Sequence, residues 1–342
     1  MTQTEQSKIR KKSGASALAT SAQALAGAAL GAATSWILYS NLAIDHDVGL
    51  PKGIAADRDV FFSDHAGKIS YYVDREGSGG PLVLIHSVNA AASAYEMRPL
   101  FEHYRLQRPV FALDLPGYGF SERSPRVYTP ELFAEAILDL LKTQVGEPAD
   151  VMALSLGCEF AARAAVARPE LFKSLTLISP SGFTSWDEGR ASQRAGEAGG
   201  SDTFYSLISF GLWRRPLYDL IVTRRSIEYF LGQSFVGRIP AGMVDYAYAT
   251  AHQPGAEYVP VYFLSGKLFT PNAVETLYND VEIPVLVIYD QDAFVRFDQL
   301  PGLLERKDNW QAERITPTLG LPHFEKLPEM TQTLEGFWES LH

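Results

Sequence analysis

The stretch Ala153-Leu154-Ser155-Leu156-Gly157-Cys158 constrains the fold of this chain more than any other. The apolar run Val151 to Leu154 reads as a strand, and the alanine-rich amphipathic run Cys158 to Ala167 reads as a helix. A serine therefore stands at the tip of a tight strand-to-helix turn. The pattern is G-x-S-x-G, with Ala153 in the place of the first glycine. A hydroxyl at such an apex points into a cleft, where a base can remove its proton and helix N–H groups can hold an oxyanion.

The rest of the chain repeats the strand-and-helix alternation. Pro81 to His86, Val110 to Asp114, Leu175 to Ser179 and Pro284 to Tyr289 are short continuous apolar runs, as expected of strands covered on both faces. Asp59 to Ser63 and Lys68 to Val73 alternate across a turn containing Gly67, which predicts a hairpin. Thr129 is placed to cap a helix from Pro130 to about Val145. This spacing predicts an α/β fold with a doubly wound, mostly parallel sheet. From Pro180 to about Ile283 the alternation stops. The segment becomes helical and aromatic, which predicts an inserted cap, and Gly189 to Ser201 reads as a mobile Gly/Ala/Ser-rich stretch. The expected organisation is a basic tail with an apolar helix (1–44), a linker (45–58), the first part of the core (59–180), a helical cap (181–282) and the second part of the core (283–342).

Composition narrows the function. At 342 residues with 46% hydrophobic and 20% charged side chains, the chain buries a large core as an ordinary globular protein. A net charge of −10 argues against nucleic acid as a partner. The single cysteine, Cys158, excludes an internal disulfide and a cysteine-based zinc site, and is expected to pack beneath the turn. The 7 histidines are scattered, so neither a metal nor a cofactor is expected.

Lys8, Arg10, Lys11 and Lys12 precede a stretch from Ser13 to Ile44 without a charged residue. About 20 apolar residues cross a bilayer. Here alanine dominates, and Ser16, Thr20, Ser21, Gln23, Thr34, Ser35 and Asn41 dilute the stretch. Trp36 and Tyr39 stand where interfacial aromatics are found, and Gly27 and Gly31 permit close helix approach. Four readings stand: a membrane anchor through residues 13–44, a cleaved export signal, a helix lying on a surface or packed on protein, and a disordered tail. Association with a membrane through this segment is the expectation. If it spans, the basic cluster leaves the catalytic domain on the non-cytoplasmic side. An exported or cytoplasmic soluble protein is the alternative.

An elbow serine needs a base, and the base needs an orienting carboxylate. In open α/β sheets functional groups collect at the carboxyl ends of strands. The strand ending at Tyr289 is followed by Asp290-Gln291-Asp292, and a later loop reads Gly320-Leu321-Pro322-His323-Phe324. The chain order Ser155, Asp292, His323 is the one expected of an elbow serine.

From about residue 60 to the end, the chain resembles the α/β-hydrolase superfamily, specifically its cap-bearing serine members. Leu84-Ile85-His86-Ser87-Val88-Asn89 resembles the family's His-Gly oxyanion loop, with Ser87 in the glycine place. Asp114-Leu115-Pro116-Gly117-Tyr118-Gly119-Phe120-Ser121 is similar to a D-x-P-G-x-G-x-S loop and is the most specific match. The elbow, the run Pro284 to Val295 and the segment His323 to Glu329 complete the likeness. The chain departs from the family at Ala153, at Asp290 (usually glycine) and at Pro322 before the histidine, and the spacing from His323 to Pro328 is short. Both Asp290 and Asp292 are candidate acids, and Asp292 fits the following Phe294-Val295 better.

The resemblance implies Ser155 as nucleophile, His323 as base, Asp292 as orienting acid, and the N–H groups of Leu156 and of Val88 or Ser87 as oxyanion donors. His86 is expected to hold the oxyanion loop, Asp114 to brace its own loop, and Asn89 is a candidate for the pocket wall. The expected activity is hydrolysis of an ester or related acyl bond in a small hydrophobic substrate. C–C bond hydrolysis, acyl transfer or cofactor-free peroxidase chemistry on the same triad is the alternative, as is a non-catalytic interaction protein on this fold. Epoxide hydrolase and dehalogenase chemistry is disfavoured, because those relatives carry aspartate at the position of Ser155.

Overall fold

The computed structural model describes residues 27–184 and 202–341. The basic cluster at 8–12, residues 13–26 of the apolar stretch and all of Gly189 to Ser201 lie outside the described residues. Helix α1 covers residues 27–43. The chain then runs through β1 (Asp57–Ser63), β2 (Gly67–Asp74), β3 (Leu82–Ile85), α2 (Arg98–Tyr104), β4 (Val110–Leu113), α3 (Pro130–Leu140), β5 (Ala149–Leu154), α4 (Gly157–Ala167) and β6 (Phe172–Ile178). Helices α5 (Asp202–Ile208), α6 (Arg214–Ile221), α7 (Arg224–Gly232), α8 (Met243–Ala251), α9 (Tyr258–Leu264) and α10 (Ala273–Thr276) separate β6 from β7 (Val285–Tyr289). The chain closes with α11 (Leu300–Leu304), β8 (Trp310–Arg314), α12 (Pro322–Glu325) and α13 (Leu327–Ser340).

The strands form one 8-stranded sheet in the order β1-β2-β4-β3-β5-β6-β7-β8. The β1/β2 and β2/β4 pairs are antiparallel; from β4 through β3, β5, β6 and β7 to β8 every pair is parallel. The doubly wound, mostly parallel sheet read from the sequence is therefore the fold. The central strands β3, β4 and β5 are buried at every residue because helices cover both faces. One core lies beneath α3 and α4 around Phe133, Phe160 and Val151; the other lies beneath α2 and α13 around Phe101, Met152 and Leu334.

Local chemistry explains the element ends. Ser63 Oγ accepts the N–H groups of His65 and Ala66 and closes the hairpin before Gly67. Thr129 Oγ1 accepts the N–H of Leu132 and caps α3. The helix expected to reach Val145 keeps α geometry only to Leu140 and continues as a wider π turn over Leu141–Val145. Strand β8 was not anticipated: Trp310-Gln311-Ala312-Glu313-Arg314 is a polar edge strand with one fully apolar anchor, Trp310.

Helix α1 is mostly exposed, and no helix among the described residues is long and apolar enough to cross a membrane. Its C-terminal half docks on α6, where Trp36 Nε1 donates to Pro216 O at 2.8 Å.

Candidate active site

Ser155 occupies the turn between β5 and α4 with φ of +53°, in the left-handed region that a side chain adopts only under constraint. Its N–H donates to Ile178 O at 2.9 Å, which ties the turn to the end of β6. Gly157 explains why the next elbow position lacks a side chain: a Cβ there would stand 2.4 Å from His86 O. Ala153 is fully buried within β5, where a methyl is accommodated. Cys158 is fully buried and its Sγ donates to Ala153 O at 3.1 Å, so it packs under the turn.

The elbow opens on a cavity of about 500 Å³. Ser155, Leu156, Ser87, Val88, Asn89 and Asp292 all border it. Among the described residues, no hydrogen bond uses the N–H of Val88 or of Leu156. The N–H of Ser87 is engaged: it donates to Glu96 Oε2 at 2.9 Å. Of the two oxyanion donors proposed for this loop, Val88 is thus the one left open.

Four contacts pin the loop. Glu96 Oε1 also accepts from Asn89 Nδ2 at 3.0 Å, Tyr118 Oη donates to Asn89 O at 2.8 Å, and Tyr218 Oη donates to Ala90 O at 2.6 Å. His86 completes the set from below. Its Nδ1 hydrogen bonds Ser87 O at 2.5 Å, and its Nε2 accepts the Leu115 N–H at 2.9 Å, which fixes the tautomer. His86 does not border the cavity, and burial lowers its imidazole to about 3. It braces the loop. Asp114 braces the adjoining loop by accepting the N–H groups of Ala94 and Phe120, and burial raises its carboxyl to about 6.

The two candidate acids sit differently. Asp290 is 7% exposed, bonds Arg314 Nε at 2.6 Å and the Thr318 N–H at 2.9 Å, and does not border the cavity. Burial pushes its carboxyl up, but these donors outweigh burial and hold it below its ordinary value. Asp292 borders the cavity. Its Oδ1 accepts the N–H groups of Phe294 and Val295 at 2.7 and 3.2 Å, and burial raises its carboxyl against those bonds. Its Oδ2 takes part in no hydrogen bond among the described residues and faces Gly320, where a Cβ would lie 3.0 Å away.

His323 lies on α12 at the end of that same loop and is fully buried. Its Nε2 is 2.6 Å from Glu96 O, and Nδ1 is buried without a partner. A carbonyl only accepts, so Nε2 carries the hydrogen and Nδ1 is bare. Burial lowers the imidazole to about 4. No hydrogen bond joins His323 to Ser155, Asp290 or Asp292 among the described residues.

Sequence reasoning missed two buried carboxyls on the cavity wall, Glu96 and Glu159. Glu159 Oε2 accepts the Thr270 N–H at 2.7 Å and its other oxygen accepts the Ser181 hydroxyl. Burial raises both carboxyls. Each is a lone acid in an apolar run beside a functional loop, which was the available signal. The rest of the wall is largely apolar, including Ile227, Phe230, Leu231, Met243 and Tyr246 from the helices between β6 and β7. Among the described residues one group of metal-ligand type, His65, Glu135 and Asp139, brings its atoms within 4.8 Å, and none of the three borders the cavity.

The profile of the Alpha/beta hydrolase family matches residues 82–326. An uncharacterized hydrolase, YugF, of Bacillus subtilis is 30% identical over 115 residues, 33% of this chain and 41% of that protein. A pimeloyl-[acyl-carrier protein] methyl ester esterase of Chromobacterium violaceum is 30% identical over 113 residues, 33% of this chain and 42% of that protein. The matches thus span less than half of either relative. Among solved structures, a membrane phospholipase A described as a bacterial virulence factor superposes with a TM-score of 0.66 at 17% identity, covering 95% of this chain and 96% of the other.

Proposed function

The chain belongs to the Alpha/beta hydrolase family, and on that premise we propose that it is a serine hydrolase cleaving an ester or related acyl bond of a hydrophobic substrate. One observation carries the reading: a serine held at φ +53° opens on a cavity bordered by Val88 and Leu156, whose main-chain N–H groups make no hydrogen bond among the described residues. Ser155 Oγ attacks the acyl carbon as His323 takes its proton, and the carbonyl oxygen becomes an oxyanion against those donors, each worth about 3 kcal/mol of transition-state stabilisation. The alcohol departs with a proton delivered by His323, leaving an acyl-serine. Water, deprotonated by the same imidazole, attacks the acyl carbon, and the imidazole returns that proton to Ser155 Oγ as the C–Oγ bond breaks and the acid leaves.

For this His323 turns from Glu96 O toward Ser155, and Nδ1, now carrying the hydrogen, donates to Asp292 Oδ2. Catalytic hydrogen bonds are often formed only in the substrate complex. The open Oδ2 beside Gly320 and the partnerless Nδ1 support this pairing. The apolar wall supports a hydrophobic acyl group, with Phe230 (48% exposed) and Phe294 (61%) reaching solvent from the cavity's lining. The helices between β6 and β7 serve as the cap. Exposed Leu30, Leu38 and Leu42 on α1 support attachment to a membrane surface through the N-terminal segment.

A fluorophosphonate probe tests the assignment. Wild type is expected to label and Ser155→Ala to remain unlabelled; a folded wild-type protein that resists the probe overturns the reading. A p-nitrophenyl ester series from acetate to decanoate tests the hydrophobic acyl preference, with longer chains expected to give higher kcat/KM.

A further inference from the structure

Helix α1 is exposed along most of its length, with Leu30 at 70% and Leu42 at 81%, yet Ser40 is at 0%. Ser40 Oγ donates to Asp219 Oδ2 at 2.6 Å, and His46, just past the helix, places Nε2 at 3.1 and 3.0 Å from the two oxygens of the same carboxylate. Asp219 is 2% exposed, and Ser40 and His46 are its only hydrogen-bond partners among the described residues. A buried carboxylate is tolerated only when it is hydrogen-bonded, so α6 is completed by the N-terminal segment. Two further ties hold that segment: Trp36 to Pro216 O, and the Val48 main chain to His252 O and Gln253 Nε2 at the end of α8.

The neighbour of Asp219 reaches the loop that carries Val88. Tyr218 is 4% exposed and donates to Ala90 O at 2.6 Å, two residues beyond the Val88 donor. Consecutive helix residues point about 100° apart, so a single turn of α6 grips the N-terminal segment on one side and the oxyanion loop on the other. The other described side chains that pin this loop, His86, Glu96 and Tyr118, come from the first part of the chain; Tyr218 alone among them comes from the helices between β6 and β7.

We propose that the N-terminal segment is a strap that sets the oxyanion hole: docking on Asp219 fixes α6, and α6 through Tyr218 fixes the Ala90 end of the loop that carries the Val88 N–H. Asp219 and Tyr218 are positioning residues, and Ser40 and His46 are the strap's contacts. The inference rests on the assignment of Ser155 as nucleophile. A displaced oxyanion donor weakens transition-state binding while leaving ground-state binding nearly intact, so the signature is a fall in kcat at constant KM.

The test uses the full chain, with the fluorophosphonate labelling rate and p-nitrophenyl butyrate hydrolysis as readouts and thermal unfolding recorded for each variant. If wild type does not label, the Ser155 assignment fails and the strap falls with it. If wild type labels, Asp219→Leu and Tyr218→Phe are each expected to lower kcat about tenfold with KM changed less than about twofold, because small misplacement of a catalytic group is costly. Asp219→Asn keeps an acceptor for Ser40 and is expected to restore most of kcat. The double variant is expected to be no slower than the slower single, since both act through one helix. Unchanged kcat in Asp219→Leu, or losses that multiply in the double variant, overturns the strap. Should Asp219→Leu fail to fold, Ser40→Ala combined with His46→Phe carries the same expectation, and unchanged kcat in that variant overturns it.

Discussion

The imidazole of His323 hydrogen bonds through Nε2 to the main-chain oxygen of Glu96 at 2.6 Å, while the side chain of the same Glu96 holds the Ser87 N–H of the oxyanion loop at 2.9 Å. One residue therefore contacts both halves of the proposed machinery, the base through its carbonyl and the hole through its carboxylate. His323 in this position has spent the nitrogen that would face Ser155.

His323 is expected to leave Glu96 O once Ser155 carries a tetrahedral adduct. A crystal structure of the phosphonylated protein checks this, with Nε2 expected near the adduct and Nδ1 near Asp292. His323→Ala is expected to cut kcat by ~10³-fold or more. Retention of the Glu96 contact in the adduct rules out His323 as the base.

The two aspartates are expected to separate cleanly by readout. Asp292→Asn removes the orienting carboxylate and is expected to lower kcat by roughly 10³- to 10⁴-fold with little change in melting temperature. Asp290→Ala breaks the Arg314 and Thr318 bonds, so it is expected to cost about 1–3 kcal/mol of stability while retaining activity per folded molecule. Denaturant unfolding and kcat, measured on both variants, decide the assignment.

The pH profile should carry the mark of burial. His323 is lowered to about 4 by desolvation, so the resting enzyme keeps its base unprotonated well below the ordinary histidine range. The acid limb of kcat/KM, which reports the free enzyme, is expected nearer 4 than 6.5.

His86 makes the corresponding statement about stability. Its native value is about 3, set by desolvation, whereas the unfolded chain takes up that proton near 6.5. The unfolded state therefore binds more protons between those values. The His86 contribution is fully present above about 6.5 and is lost as pH falls toward 3, by up to ~1.4 kcal/mol per pH unit. Urea midpoints from pH 7 to 4 are expected to fall more steeply for wild type than for His86→Gln.

Gly157→Ala would bring a methyl to 2.4 Å from His86 O. Main chain meets main chain there, so the oxyanion loop must retreat. The expected result is a loss of roughly 10²-fold in kcat together with about 1–3 kcal/mol of stability. Wild-type kcat in this variant removes the loop contact from the mechanism.

The sheet was legible because β3, β4 and β7 are uninterrupted apolar runs and β5 and β6 end in largely apolar ones, which find a stable placement between two layers of helices. Strand β8 was not, since an edge strand with a single buried anchor, Trp310, carries almost no period-two signal. At the site, the strand-to-helix turn that carries Ser155 was legible, whereas spacing alone left Asp290 and Asp292 both open as the acid. Two things were hidden. One is the side on which a histidine ring hydrogen bonds, which depends on a carbonyl 227 residues away in sequence. The other is the pair of buried acids, Glu96 and Glu159, whose partners come from separate loops and leave no spacing to read. The docking of α1 on α6 was equally invisible, because it depends on a carboxylate 179 residues from Ser40.

Cys158 has one more consequence. The chain's only cysteine lies fully buried directly behind Ser155, and burial pushes its thiol well above the ordinary range. In the native protein it is shielded from alkylating reagents, and only opening of the elbow itself exposes it. Its labelling rate is a built-in clock for that opening, readable in any variant without adding a probe, and a cysteine introduced elsewhere on the surface becomes the sole fast-reacting thiol of the folded molecule.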